Sequence, residues 1–449
     1  MSDPSSCPNR QTVRSAQPGG SDGADRCQVV APWDWVGVIG TGQSLAVGTL
    51  PITSVTQPYG NLKLSLGDAA VPGACENPWD PNLSGLALVP LVEPVHALQV
   101  DYPSPYPLNP FGESPHSAMA NELTRLVKAL SPGSDYVTVH SLVGESGQGI
   151  VELKKRSGST TGITGRAYAA SLFETAAIAR LAREAGKTFG VGLILMTHGE
   201  TDFDNPAYMD ELVQLLADYN ADLSAITGQS RKIPMYLSQQ HALPNGPDSV
   251  GKGSLATQVQ WRIGIEQAGA FVCTGPKYQY PANEMGDGIH LSATGYQMIG
   301  EKAAQIYCER AVLGRDWQPL QPVAVHRSGR EVTVRLHVPV PPLRWDGSFG
   351  RPATAVWAQG RGFELRTPVA RLGIESAVID GDAVRITASC DLPARGLVVG
   401  YAMANQGAQL SNHAMAVRWG QLCDSDPFVG STSKQANPNY CVSFEVPVP

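Results

Sequence analysis

The chain has 449 residues, which suits two or three domains, and 42% of them are hydrophobic, enough for a large core. Charged residues make up only 16%, and a formal net charge of −7 gives no electrostatic basis for binding nucleic acid or an anionic membrane. No apolar run reaches the roughly 18 residues of a membrane span.

Residues 1–32 are polar and Gly/Ser-rich and read as a flexible N-terminal tail. They lack the apolar centre of a signal peptide, although a mature exported chain given a start Met would read the same. From Trp33 to Gly314, apolar runs alternate with helical patterns. The runs 35–40, 136–142, 191–197 and 233–238 predict strands buried on both faces. Helices are predicted over 115–130, with Ser114 as N-cap and Pro115 in the first turn, over 166–185, and over 208–226, stopping at Gly228. Two more are predicted over 254–268 and 292–313. This alternation predicts a parallel α/β sheet with helices on both sides. The proline-rich stretch between Gly48 and Glu113 has little periodicity and reads as a long functional loop.

After about Asp316 the pattern changes to alternating apolar and polar residues over 323–338, 354–367 and 375–389, with further strands at 396–403 and 441–448. That is a β-sandwich signature. The expected organisation is therefore a tail (1–32), an α/β domain (33–314) and a β-sandwich (315–449). Eight cysteines with no C-x-x-C pair argue against zinc ribbons and thioredoxin chemistry. An even count and low charge fit a secreted, periplasmic or cell-surface protein with some disulfides, and buried free thiols are the alternative. Cys7 with Cys27, and Cys423 with Cys441, bracket short polar loops.

Four segments at predicted strand ends carry chemistry, and ligands bind at that edge of open parallel sheets. Gly40–Gly48 puts Ser44 at a strand-to-helix turn, where a hydroxyl is exposed and a backbone N–H can stabilise an oxyanion. A helix N-cap serine would look the same. Asp287 and His290 are spaced so that one loop presents both: a carboxylate to orient the ring, and a ring nitrogen to act as general base. Leu195–Asp202 places His198, Glu200 and Asp202 after the most apolar strand. Gly144–Gly149 is a glycine-rich turn that can aim an N–H at a carbonyl oxygen.

In this order the blocks GQS (42–44), the glycine turn (144–149), HGETD (198–202) and DGIH (287–290) resemble those of the SGNH, or GDSL-like, hydrolases. The branch most similar is that of the sialate O-acetylesterase-like and acetylxylan esterase-like carbohydrate esterases. The resemblance implies a flavodoxin-like three-layer α/β fold over 33–314 and two-step acyl transfer. Ser44 would attack the ester, His290 would serve as base, and Asp287 would hold it. It implies an oxyanion hole built from the N–H groups of Ser44 and Gly147, with Gly144 and Gly149 as competitors for the second donor. The third donor in that branch is a glutamine, where this chain has His198, whose neutral ring can also donate. The implied activity is hydrolysis of O-acyl, principally O-acetyl, esters on a carbohydrate.

Gln43, Glu200, Gln239, Gln240, His241 and His116 are candidate substrate contacts, as are Trp33, Trp35 and Trp79 through stacking. Glu200 can equally orient loops, and His116 can equally cap a helix. No paired cysteines or calcium loop appear, so no metal or other cofactor is expected. Two other readings use the same features: an esterase or lipase for non-carbohydrate esters, and a non-catalytic carbohydrate-binding or structural protein.

Overall fold

A computed structural model describes residues 31–66, 80–95, 112–156, 164–243, 255–283, 289–348, 359–403 and 416–449. In chain order the first part runs β1 (Trp35–Gly42), α1 (Ser44–Val47), β2 (Leu62–Ser65), β3 (Ala87–Pro90), α2 (Pro115–Leu130), β4 (Val137–Leu142) and α3 (Ile150–Leu153). It continues with α4 (Arg166–Glu184), β5 (Phe189–Thr197), α5 (Tyr208–Thr227), β6 (Met235–Gln239), β7 (Ala242–Leu243), α6 (Leu255–Glu266), β8 (Phe271–Pro276) and α7 (Ala293–Tyr307). Helix α7 passes into a π-helical turn, Cys308–Val312.

Seven strands form one sheet in the order β3-β2-β4-β1-β5-β6-β8, parallel except for the β2–β3 pair. Without β2 and β3, the parallel core reads second, first, third, fourth, fifth along the chain. That is the flavodoxin-like order, whose topological switch point lies at the first strand. Alternate strand residues serve opposite faces. Val36 and Val38 of β1, Leu193 and Leu195 of β5, and Tyr236 of β6 pack with α2 and α7. Ile39, Ile194, Met196, Met235 and Leu237 pack on the other face with α4, α5 and α6.

The helix expected over 115–130 spans those residues. Ser114 caps it, accepting from the His116 N–H at 3.3 Å. Helix α5 ends at Gly228 with φ +74, a left-handed position that favours glycine. The proline-rich segment holds β2 and β3, which its irregular pattern did not indicate. Strand β8 was also not predicted.

The remaining strands are β9 (Gln321–Ser328), β10 (Glu331–His337), β11 (Arg344–Trp345), β12 (Phe363–Arg366), β13 (Arg371–Leu372), β14 (Ile374–Asp380), β15 (Ala383–Ala388), β16 (Val398–Tyr401), β17 (Ala416–Val417), β18 (Leu422–Cys423) and β19 (Phe444–Pro447). They include two four-stranded antiparallel sheets, β14-β15-β10-β9 and β13-β12-β16-β19. Both contribute to one hydrophobic cluster, through Val334, Ile386, Phe363, Leu365, Val399 and Phe444. Trp261 of α6, Cys273 of β8 and Tyr278 belong to the same cluster, so this region packs directly on the edge of the α/β sheet.

Cys423 and Cys441, which bracket a short polar loop in the sequence, are not joined by a disulfide. Both are buried free thiols, as are Cys273 and Cys308, and Cys390 is exposed and free. Cys423 bridges Tyr440, while the Cys441 N–H donates to Leu422 O. Cys7, Cys27 and Cys75 lie outside the described residues. Among the described residues no helix is long and apolar enough to cross a membrane.

Two buried carboxylates anchor the loops beside the first strand. Glu113 accepts from the Thr53 and Ser54 N–H groups and from the Gln297 amide. Glu93 accepts from the Val95 N–H, the Ser114 hydroxyl and the Ser117 N–H. Burial pushes the Glu93 carboxyl up to about 7, against the Ser114 bond and with help from Glu113. Between its unfolded value and about 7, the folded state keeps a proton that the unfolded state has released. Stability is therefore expected to fall as pH rises through that window, by about 3 kcal/mol. Glu93→Gln should flatten the slope, which denaturant unfolding at pH 5 and pH 8 reads directly. An unchanged slope would mean that Glu93 is ionised in the fold.

Candidate active site

The sequence blocks after β1, β4 and β5 come together because those strands are neighbours at the switch point. Gly42 ends β1 at φ +133, and a Cβ there would lie 2.1 Å from Thr197 O. Only glycine lets the first strand turn this tightly against the end of β5. Ser44 follows as the first residue of the four-residue helix α1, half-buried rather than sealed in. Its carbonyl accepts from the Gly48 N–H at 3.0 Å.

Behind Ser44, Leu45 is fully buried in a cluster with Tyr280, Leu291, Tyr296, Met298 and Ile299, against which Ile289 packs. Ile289 and Leu291 flank His290. Thr49 Oγ1 also donates to Leu291 O at 3.3 Å. The Ser44 turn and the His290 segment, some 245 residues apart in the chain, thus share one packing unit. His290 is half-buried, and its carbonyl accepts from the Asn283 N–H at 3.0 Å. Asp287 lies outside the described residues.

The glycine turn after β4 is held on both sides. The Glu145 N–H donates to Gly42 O at 2.8 Å, and its carboxylate is ion-paired with Arg166. Of the three candidate glycines, Gly144 backs onto Val47 and Gly42, and Gly149 onto Asp202. Gly147 (φ +72) is exposed, with no atom within 4 Å of where a Cβ would point.

His198 departs from its expected role as oxyanion donor. The ring is buried, and both nitrogens are committed: Nδ1 lies 3.0 Å from the Tyr208 hydroxyl and Nε2 lies 3.1 Å from Gln148 O. Gln148 O is only an acceptor, so Nε2 carries the proton, and Nδ1 accepts from Tyr208. The Gln260 amide donates in turn to Tyr208 Oη at 3.3 Å and to His198 O at 2.6 Å. Burial holds the imidazole below its ordinary pKa, against the nearby Asp202, which favours this neutral form. His198 therefore acts as a strut under the Gly147–Gln148 turn. His198→Phe is expected to cost about 1–3 kcal/mol, by leaving Gln148 O without its donor and the Tyr208 hydroxyl proton without its acceptor, and to lower activity by loosening the turn. Urea unfolding tests the first part; a variant as stable as wild type would contradict it.

The candidate substrate contacts fare similarly. Gln43 is buried, and its Oε1 accepts from the Thr201 N–H at 3.4 Å, tying the Ser44 turn to the loop after β5. Gln239 is buried and bonds Thr257 O and both backbone groups of Ser443. Gln240 is buried against Gln260, Thr257 and Arg418. These two join the α/β sheet to the β-rich region and do not face a sugar. His116 is buried beneath Gly40, its Nδ1 2.8 Å from His140 Nδ1. Burial lowers His116 to about 3, and burial and then His116 hold His140 well below its usual value. Trp33 and Trp35 stand at the start of β1, the end opposite Ser44, where Trp33 packs on Gly190. Trp79 lies outside the described residues.

Glu200 does not face solvent either. Its carboxylate pairs with the fully buried Lys277 Nζ at 2.6 Å, and His241 Nδ1 lies 3.8 Å from the same oxygen. Burial pushes Glu200 up, but Lys277 and then His241 overcome it and leave the carboxyl below its usual value. Burial lowers Lys277 despite Glu200. His241 is lowered to about 3, first by burial and then by Lys277, and it also feels His290. Through His241 this cluster is within electrostatic range of His290. Lys277 was not anticipated. The signal available was the apolar run 270–274, a strand whose end meets the same sheet edge. No group of three or more His, Cys, Asp or Glu that could hold a metal occurs among the described residues.

No family model matches the chain, and no curated protein matches it in sequence. Solved structures to which it is similar include a carbohydrate acetylesterase from Xanthomonas citri, at 13% identity and TM-score 0.49, covering 92% of this chain and 80% of that one. A carbohydrate acetylesterase from Sinorhizobium meliloti has 14% identity and TM-score 0.31, covering 60% of this chain and 97% of that one. An aryl esterase from M. smegmatis has 11% identity and TM-score 0.31, covering 62% of this chain and 99% of that one.

Proposed function

We propose that the chain is a serine esterase that removes acyl groups, principally acetyl, from a carbohydrate, through an acyl-enzyme on Ser44. The observation that carries this reading is the shared packing of Leu45 with Ile289 and Leu291, which brings the Ser44 turn and the His290 segment together. In the reaction His290 takes the Ser44 proton as the hydroxyl attacks the ester carbonyl. It then protonates the departing sugar oxygen and activates the water that releases the acyl group. Asp287 is the group we assign to orient the ring. The N–H groups of Ser44 and Gly147 are assigned to the oxyanion, with Gly147 favoured over Gly144 and Gly149 because its surroundings are open.

The four motif blocks support the carbohydrate assignment. Export from the cytoplasm and a division near residue 314 remain part of this proposal. The test is acetate release from acetylated xylan, pectin, sialic acid and bacterial glycans, with fluorophosphonate labelling of Ser44 alongside. Release from at least one glycan with labelling at Ser44 is expected. A strong preference for octanoyl over acetyl aryl esters would favour a lipase instead, and a folded protein that neither labels nor releases acetate would exclude both.

A further inference from the structure

A cavity of about 330 Å³ lies far from Ser44, along the free edge of β8. Its floor is the first half of that strand, Phe271 to Cys273, so it sits toward the end of the sheet opposite the catalytic edge. The walls are Trp261 from α6 and Trp317 from the segment leading into β9, with Arg310, Asp316 and Gln318 at the rim. We propose that this cavity is a second binding site, for one or two units of a neutral saccharide.

The walls are rigid. Trp261 Nε1 donates to Gln321 Oε1 at 2.8 Å, and Trp317 Nε1 donates to Cys273 O at 3.2 Å. Both indole N–H groups are thus satisfied inside the protein; Trp261 is buried in the core, and the half-buried Trp317 is the ring with carbon surface left to offer a ligand. The linker carrying Trp317 is pinned by Arg315 N–H to Glu309 O, by the Arg315–Glu309 ion pair and, further on, by Val442 N–H to Leu320 O. Trp317 also caps the β8 edge, which blocks addition of a peptide strand there.

The chemistry selects the ligand. A volume near the lower bound of small-molecule sites, roughly 300–1,000 Å³, excludes large ligands. Arg310 and Asp316 cancel in charge, which disfavours an ion. Together with Gln318 they present donors and acceptors at the rim of an aromatic slot. A pyranose has matching parts: C–H faces for indole and a belt of hydroxyls for the rim.

The experiment is isothermal titration of cellobiose, xylobiose and maltose into the full chain and its Ser44→Ala, Trp317→Ala and Asp316→Ala variants. At least one disaccharide should bind saturably, with equal affinity for wild type and Ser44→Ala. Affinity should fall about tenfold or more in Trp317→Ala and measurably in Asp316→Ala, whose side chain is exposed and outside the core. No saturable binding by any of the three sugars would overturn the proposal. So would binding that both Trp317→Ala and Asp316→Ala leave intact, or binding lost in Ser44→Ala. If Trp317→Ala fails to fold, Asp316→Ala decides. Acetate release measured on the same samples keeps the two readings apart, because the subsite can fail while the esterase stands.

Discussion

Ser44→Ala and His290→Ala are each expected to lower turnover of an acetyl ester by about four orders of magnitude, and the double variant by no more than the worse single one. In the proposed reaction the two side chains act in one step: the hydroxyl is a weak nucleophile until the imidazole takes its proton, and the imidazole has no task without the hydroxyl. Stability should hardly change. Ser44 is half-buried at the start of a four-residue helix, and its backbone bond to Gly48 survives the substitution. Leu45 and Leu291, which join the two segments, are untouched. Initial rates on an aryl acetate, with thermal unfolding of each variant, make the check. Independent, multiplicative losses would mean that the residues do not cooperate, and full activity in Ser44→Ala would remove it as nucleophile.

The sequence pattern was most informative about backbone and least about what each polar side chain meets. Strands buried on both faces write continuous apolar runs, so β1, β4, β5 and β6 were legible. Their C-terminal ends located the blocks now found at the switch point. Ser114 and Pro115 marked the start of α2 because helix ends require such groups. Strands β2 and β3 were hidden because an edge hairpin in a proline-rich segment shows no long run. Polar roles failed for a different reason. His198, Gln43, Gln239 and Gln240 all stand at strand ends, where ligands bind, but their partners are Gln148, Thr201 and Ser443, at distances along the chain that no local pattern reports. A buried polar group must find a partner, and at a crowded sheet edge that partner was the protein. The joining of the α/β and β-rich regions through Gln239 and Ser443 was likewise invisible until both were placed.

Lys277→Met is expected to destabilise the fold by about 3–5 kcal/mol, while Lys277→Met combined with Glu200→Leu should recover most of the loss. Lys277 is wholly enclosed and Glu200 nearly so, with 2.6 Å between them. Removing the ammonium leaves a buried carboxylate with only the more distant His241, at 3.8 Å, near one oxygen and, among the described residues, no hydrogen-bond partner for the other. That carboxylate must stay charged in an apolar setting or take a proton, and both cost stability. Removing both groups leaves only van der Waals packing to replace, which two side chains of similar length can do. Urea midpoints for the two single variants and the double variant close the cycle. A Lys277→Met variant as stable as wild type would show that the ammonium does not hold the carboxylate. The same variants bear on the proposed catalysis, since His241 interacts electrostatically with this pair and with His290. If the pair serves only to seal the sheet edge, the double variant should regain activity as it regains stability. Restored stability without restored turnover would instead show that charge at position 200 acts on the proposed base, His290.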